Sequence, residues 1–139
     1  MSKISQAFDF RRPVAYDGGA KRAFHIHARR RLKQLADALG FLPGAYDLRS
    51  NAGGIAVSGE VTLHAERLYV QACQPATGHD TGILFRTCEG RKDYYGGPNN
   101  FASLDFLNRP EELARRIKEV CRLDSGGPAC TAANEGGEP

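Results

Sequence analysis

Ile55-Ala56-Val57-Ser58-Gly59-Glu60-Val61-Thr62-Leu63-His64-Ala65-Glu66-Arg67-Leu68-Tyr69-Val70-Gln71-Ala72-Cys73 decides the fold. From Ile55 to Leu63 apolar and polar residues alternate. Ile55, Val57, Val61 and Leu63 take one face, and Ser58, Glu60, Thr62 and His64 the other, which is the period of a half-buried strand. His64 to Arg67 leaves room only for a tight connection. Leu68, Val70 and Ala72 then alternate with Tyr69, Gln71 and Cys73. So short a link implies antiparallel pairing, because a parallel crossover needs a dozen or more residues.

Working outward, Tyr46–Arg49 reads as a short strand closed by the turn residues Ser50-Asn51-Ala52-Gly53-Gly54. Ile83–Cys88 reads as the next strand after the loop 75–81. Ala102–Phe106 is either a last short strand or an extended approach to a helix. On the N-terminal side, Phe24, Ala28, Leu32, Leu35, Ala36 and Leu39 recur at steps of three and four, so Ala20–Leu39 is helical, with Gly40 as its stop. On the C-terminal side, Asn108 reads as an N-cap, with Pro110, Glu111 and Glu112 in the first turn. That helix runs to about Arg122 and buries Leu113, Ile117, Val120 and Cys121. The expected fold is α+β: a three- to four-stranded antiparallel sheet with both helices on one face, in the order α-β-β-β(β)-α. Glu60, Thr62, His64, Tyr69, Gln71 and Arg86 fall on the opposite, polar face. The double-stranded-RNA-binding domain shares this element order, but its sequence hallmarks do not appear and the spacing between the two helices is too long.

The 139 residues suffice for one domain, and 41% hydrophobic and 25% charged residues are ordinary globular values. Residues 19–123 are read as that domain. Residues 1–18, broken by Pro13 and Gly18-Gly19, are read as a flexible arm pinned by Phe8, Phe10 and Tyr16. Residues 124–139 lack the large apolar groups needed to offset ordering and are read as a disordered tail. No apolar run approaches the about 20 residues of a membrane span, and no signal-peptide pattern opens the chain, so the expected location is cytoplasmic. Cys73, Cys88, Cys121 and Cys130 are then reduced; the first three read as small core residues and Cys130 as an exposed thiol.

The net charge of +3 is too small to make the whole surface a polyanion trap, so position decides. At about 100° per residue, Arg22, Arg29 and Lys33 cluster within about 40°, with Arg30 alongside, opposite the leucines. Such a stripe suits phosphate contact, and equally suits a plain solvated helix face. The segment Gly90–Phe101 is a second candidate. Arg91 and Lys92 supply charge, Tyr94 and Tyr95 supply stacking surfaces, and Asn99 and Asn100 supply amides. Its other reading is a long connection with the tyrosines folded back on the core.

Catalytic and metal patterns are sparse. His25 and His27 fall on different helix faces, and no spacing favours a metal set from Glu60, His64, His79 and Asp80. The cysteines lack a C-x-x-C spacing. Neither an Asp…Glu-x-Lys arrangement, a nucleophile elbow, a P-loop nor a dinucleotide fingerprint occurs, so no cofactor and no catalytic residue is assigned.

Leu84-Phe85-Arg86-Thr87-Cys88-Glu89-Gly90-Arg91-Lys92-Asp93-Tyr94-Tyr95-Gly96-Gly97, with Leu68-Tyr69-Val70-Gln71 before it, resembles segments of small uncharacterised accessory proteins of proteobacterial mobile elements. The resemblance spans residues 40–110. It brings no activity and no site residue with it, and implies a bacterial, cytosolic accessory protein. The first expectation is therefore a non-enzymatic protein that binds DNA or RNA through Arg22, Arg29, Arg30, Lys33, Arg91, Lys92, Tyr94 and Tyr95. The alternative is a regulator or inhibitor that docks on a host protein through the sheet face or an edge strand. A metal-dependent nuclease ranks third.

Overall fold

The computed structural model describes residues 7–74, 81–90 and 97–122. Helix α1 (Gly18–Ala38) is followed by strands β1 (Tyr46–Asn51), β2 (Glu60–Ala65), β3 (Leu68–Cys73), β4 (Ile83–Thr87) and β5 (Asn100–Ala102). A 3-10 turn over Leu104–Asn108 then leads into α2 (Pro110–Cys121). The strands form one five-stranded antiparallel sheet in sequence order, β1-β2-β3-β4-β5. The fifth strand is a three-residue piece that begins at Asn100, earlier than the sequence suggests. Among the described residues no helix is long and apolar enough to cross a membrane.

Both helices pack on one face of the sheet, and on each other. Register explains which face. Leu63 pairs with Val70 and Val70 with Phe85, while Val61, Ala72 and Ile83 form the neighbouring row. With the α1 stripe and with Leu113, Ala114 and Ile117 of α2, these side chains make one buried core. The whole predicted stripe of α1, from Phe24 to Leu39, is buried. Its C-terminal end is closed as a Schellman motif: Phe41 N–H donates to Ala36 O at 2.9 Å and Gly40 N–H to Asp37 O at 3.0 Å, with Gly40 at φ +86°.

Four local expectations are corrected. Gly18 and Gly19 do not break the chain; they form the first turn of α1, because Asp17 caps it by accepting from Ala20 N–H at 3.0 Å. Ile55 and Val57 are not in a strand. Gly59 (φ +72°) turns the chain where a Cβ would overlap the Asn51 and Ala52 carbonyl oxygens, so pairing starts only at Glu60, and Ile55 and Val57 are 74% and 51% exposed. Val120 is exposed, and Ala114 takes the buried place on α2.

Asn108 is not the cap of α2; Arg109 holds the N-cap position, without a side-chain cap bond. Its amide serves a distant partner instead. Phe8 N–H donates to Asn108 Oδ1 and Asn108 Nδ2 donates to Phe8 O, both at 2.9 Å. Over residues 7–17 the expected arm thus lies against the domain, with Phe10 and Val14 in the core and Tyr16 exposed. Replacing Asn108 by alanine strands a half-buried backbone N–H and C=O, and the expected loss is about 1–3 kcal/mol in urea denaturation.

The expected disordered tail 124–139 and Cys130 lie outside the described residues.

Candidate functional site

Between Asp17 and Asp37 the chain carries no carboxylate, while Lys21, Arg22, Arg29, Arg30, Arg31 and Lys33 fall there. Helical winding sorts these cations. Arg22, Arg29, Arg30 and Lys33 all emerge on the exposed side of α1, and none of the four forms an ion pair among the described residues. At about 1.5 Å per residue they cover about 16 Å of helix. Ile26, 53% exposed, sits in their midst. The predicted helix cluster is therefore assembled as one cationic surface.

Arg29 differs from the other three. Its Nη1 donates to Leu48 O at 3.3 Å and to Ser50 Oγ at 3.4 Å, which ties α1 to the edge strand β1. Arg116 of α2 does the same at the opposite edge, where Nη2 donates to Phe101 O of β5 at 3.4 Å. Arg31, the third member of the Arg29–Arg31 run, is turned inward, 8% exposed, with Nη1 donating to Gln34 Oε1 at 3.1 Å. It lines an open groove of about 700 Å³ between α1 and α2 whose charges are of both signs: Arg31, Arg115 and Lys118 against Asp37 and Glu111.

The two helix histidines separate as their spacing requires. His25 Nε2 donates to Ser58 O at 2.8 Å. Together with Lys21 Nζ on Gly54 O at 2.8 Å and Tyr16 N–H on Ile55 O at 2.9 Å, it fastens the 52–59 connection to α1. His27 stacks on Phe8 with ring centroids 4.0 Å apart. Its pKa is lowered by burial, and further by the charges of Arg30 and Arg31. Among the described residues no group of three or more His, Cys, Asp or Glu side chains is placed to hold a metal. Glu60 and His64 lie on one strand four residues apart, about 13 Å at strand rise. His79 and Asp80 are outside the described residues.

Arg91, Lys92, Tyr94 and Tyr95 also lie outside the described residues. The stems of their segment are placed. Cys88 N–H donates to Arg67 O at 3.1 Å, and Gly97 N–H reaches both Thr87 O and Thr87 Oγ1 at 3.2 Å. These stems stand at β4, three strand spacings or about 14 Å from β1, the strand that Arg29 of α1 contacts.

On the sheet face away from the helices, Asp47, His64, Tyr69 and Arg86 are successive cross-strand partners. Strand parity already places His64, Tyr69 and Arg86 on this polar face; their burial is not visible in the sequence. His64, Tyr69 and Arg86 are all buried. The His64 ring meets Tyr69 edge-on at 5.1 Å, Tyr69 Oη donates to Gln71 Oε1 at 2.9 Å, and Asp47 pairs with Arg49 at 3.0 Å. Cys73 on the same face is half-buried; burial raises its thiol pKa, only partly offset by the Gln71 side chain. Comparison with protein-family models, with curated proteins and with solved structures yielded no match.

Proposed function

We propose that the protein binds nucleic acid by placing the exposed face of α1 against backbone phosphates. The observation that carries this reading is the group Arg22, Arg29, Arg30 and Lys33: four exposed cations without ion pairs, on a helix with no carboxylate between its cap and Asp37. Folding gains little from holding like charges side by side without ion-pair partners, and of the four only Arg29 also serves the fold, through β1. A polyanion gains from them by releasing condensed counterions. Phosphate contacts of this kind set position rather than sequence preference, which suits the bacterial accessory role implied by the resemblance over residues 40–110. Arg91, Lys92, Tyr94 and Tyr95 enter the proposal as a second contact that adds stacking.

Docking of a host protein on an edge strand has less support. Arg29 and Arg116 already occupy edge-strand carbonyls, at Leu48 and Phe101, that an added strand would need.

Fluorescence anisotropy with a short labelled duplex tests the proposal. Four phosphate contacts give a log–log salt slope of about −3.6, so affinity falls about 150-fold between 50 and 200 mM salt. Absence of binding at 50 mM to both duplex and single strand would sink it.

A further inference from the structure

Arg86 is the least exposed charged side chain among the buried described residues. It is 6% exposed and lies in the middle of the sheet face away from the helices. Its guanidinium carbon sits 4.8 Å from the Tyr69 ring centroid, and Nη1 donates to Thr87 O at 3.3 Å. No carboxylate pairs with it among the described residues. In its own cross-strand row the one acid is Asp47, two strands beyond Tyr69, about 14 Å away and already paired with Arg49. Arginine does not shed its proton in proteins, so the charge persists. A buried charge without a counter-ion is costly, and such groups are ordinarily paired.

Among the described residues the surroundings supply a platform and no carboxylate. Tyr69 offers its ring as a platform, while its hydroxyl is committed to Gln71. The guanidinium is therefore held between the Tyr69 ring and Thr87 O before any ligand arrives, which lowers the ordering cost of binding. One Nη1 bond is spent on Thr87. The other N–H groups have no protein acceptor among the described residues, and they form a fork that matches two oxygens of one oxyanion.

We propose that Arg86, stacked on Tyr69, anchors a binding site for a single phosphate-type oxyanion on the sheet face opposite α1 and α2. The site is separate from the α1 surface and does not depend on the nucleic-acid reading.

The test uses the full chain, inorganic phosphate as probe, and sodium chloride to hold ionic strength constant. In the ¹⁵N-labelled protein the Arg86 Nε–H signal, identified by its loss in Arg86→Lys, is expected to shift saturably with phosphate. At ten times the dissociation constant, Tm is expected to rise by about 6 °C or more. Arg86→Met should lose that rise. The variant Arg22→Gln/Arg30→Gln/Lys33→Gln should keep the full response. An unmoved Arg86 Nε–H signal overturns the proposal, as does an equal Tm rise in Arg86→Met or a response lost only in the α1 variant. If Arg86→Met does not fold, the Nε–H titration of the parent decides.

Discussion

Phe10→Ala lowers the unfolding free energy by about 3–5 kcal/mol, the cost of emptying a fully buried aromatic site. Phe10 is 0% exposed. Its ring meets Phe8 at 4.8 Å and Phe24 of α1 at 6.0 Å, both edge-to-face. The backbone around it is held as firmly as the ring. Gln74 Nε2 donates to Phe10 O at 3.0 Å and to Arg12 O at 2.6 Å, and Val14 N–H donates to Gln74 Oε1 at 3.3 Å. Set against a domain stability of about 5–15 kcal/mol, such a loss removes about a fifth or more of the total. Urea denaturation should show a lower midpoint with an unchanged m-value. A change under about 0.5 kcal/mol, as for an exposed substitution, would mean that the segment hangs free in solution.

The second large effect is on binding. Arg22→Gln/Arg30→Gln/Lys33→Gln removes three of the four α1 cations and leaves Arg29 on β1. The salt slope should become shallower by about 2.7, equivalent to about 500-fold in affinity for each decade of salt below 1 M. Stability should stay within about 0.5 kcal/mol of the parent, because the three side chains are exposed and make no ion pair. A slope equal to the parent's would move the contact elsewhere on the molecule and end the α1 reading.

What could be read from the sequence follows from how far each residue's partner lies along the chain. The stripe of α1 and the β2–β3 hairpin were legible because periods of 3.6 and 2 record burial directly. Asn108 was misread because a cap is the local use of an amide, whereas its actual partner, Phe8, is 100 residues away. Ile55 and Val57 kept the strand period by coincidence across Gly59, whose left-handed turn ends the pairing. The inward turn of Arg31 did have a signal, since it falls about 20° from Phe24 on the helical wheel and so lies on the buried side. The lack of a carboxylate beside Arg86 had none, because it depends on which strands become neighbours.

The reciprocal amide bond between Phe8 and Asn108 also sets a schedule. During synthesis at about 5–20 residues per second, Phe8 waits about 5–20 s for its partner 100 residues later to be made. Until then Phe10 has no finished pocket, although Phe24 of α1 is available early. The first residues of the domain are thus among the last to settle, and the nascent chain exposes an aromatic pair for that interval. Substitutions at either end of this clasp should therefore speed unfolding of the finished structure more than they slow its formation.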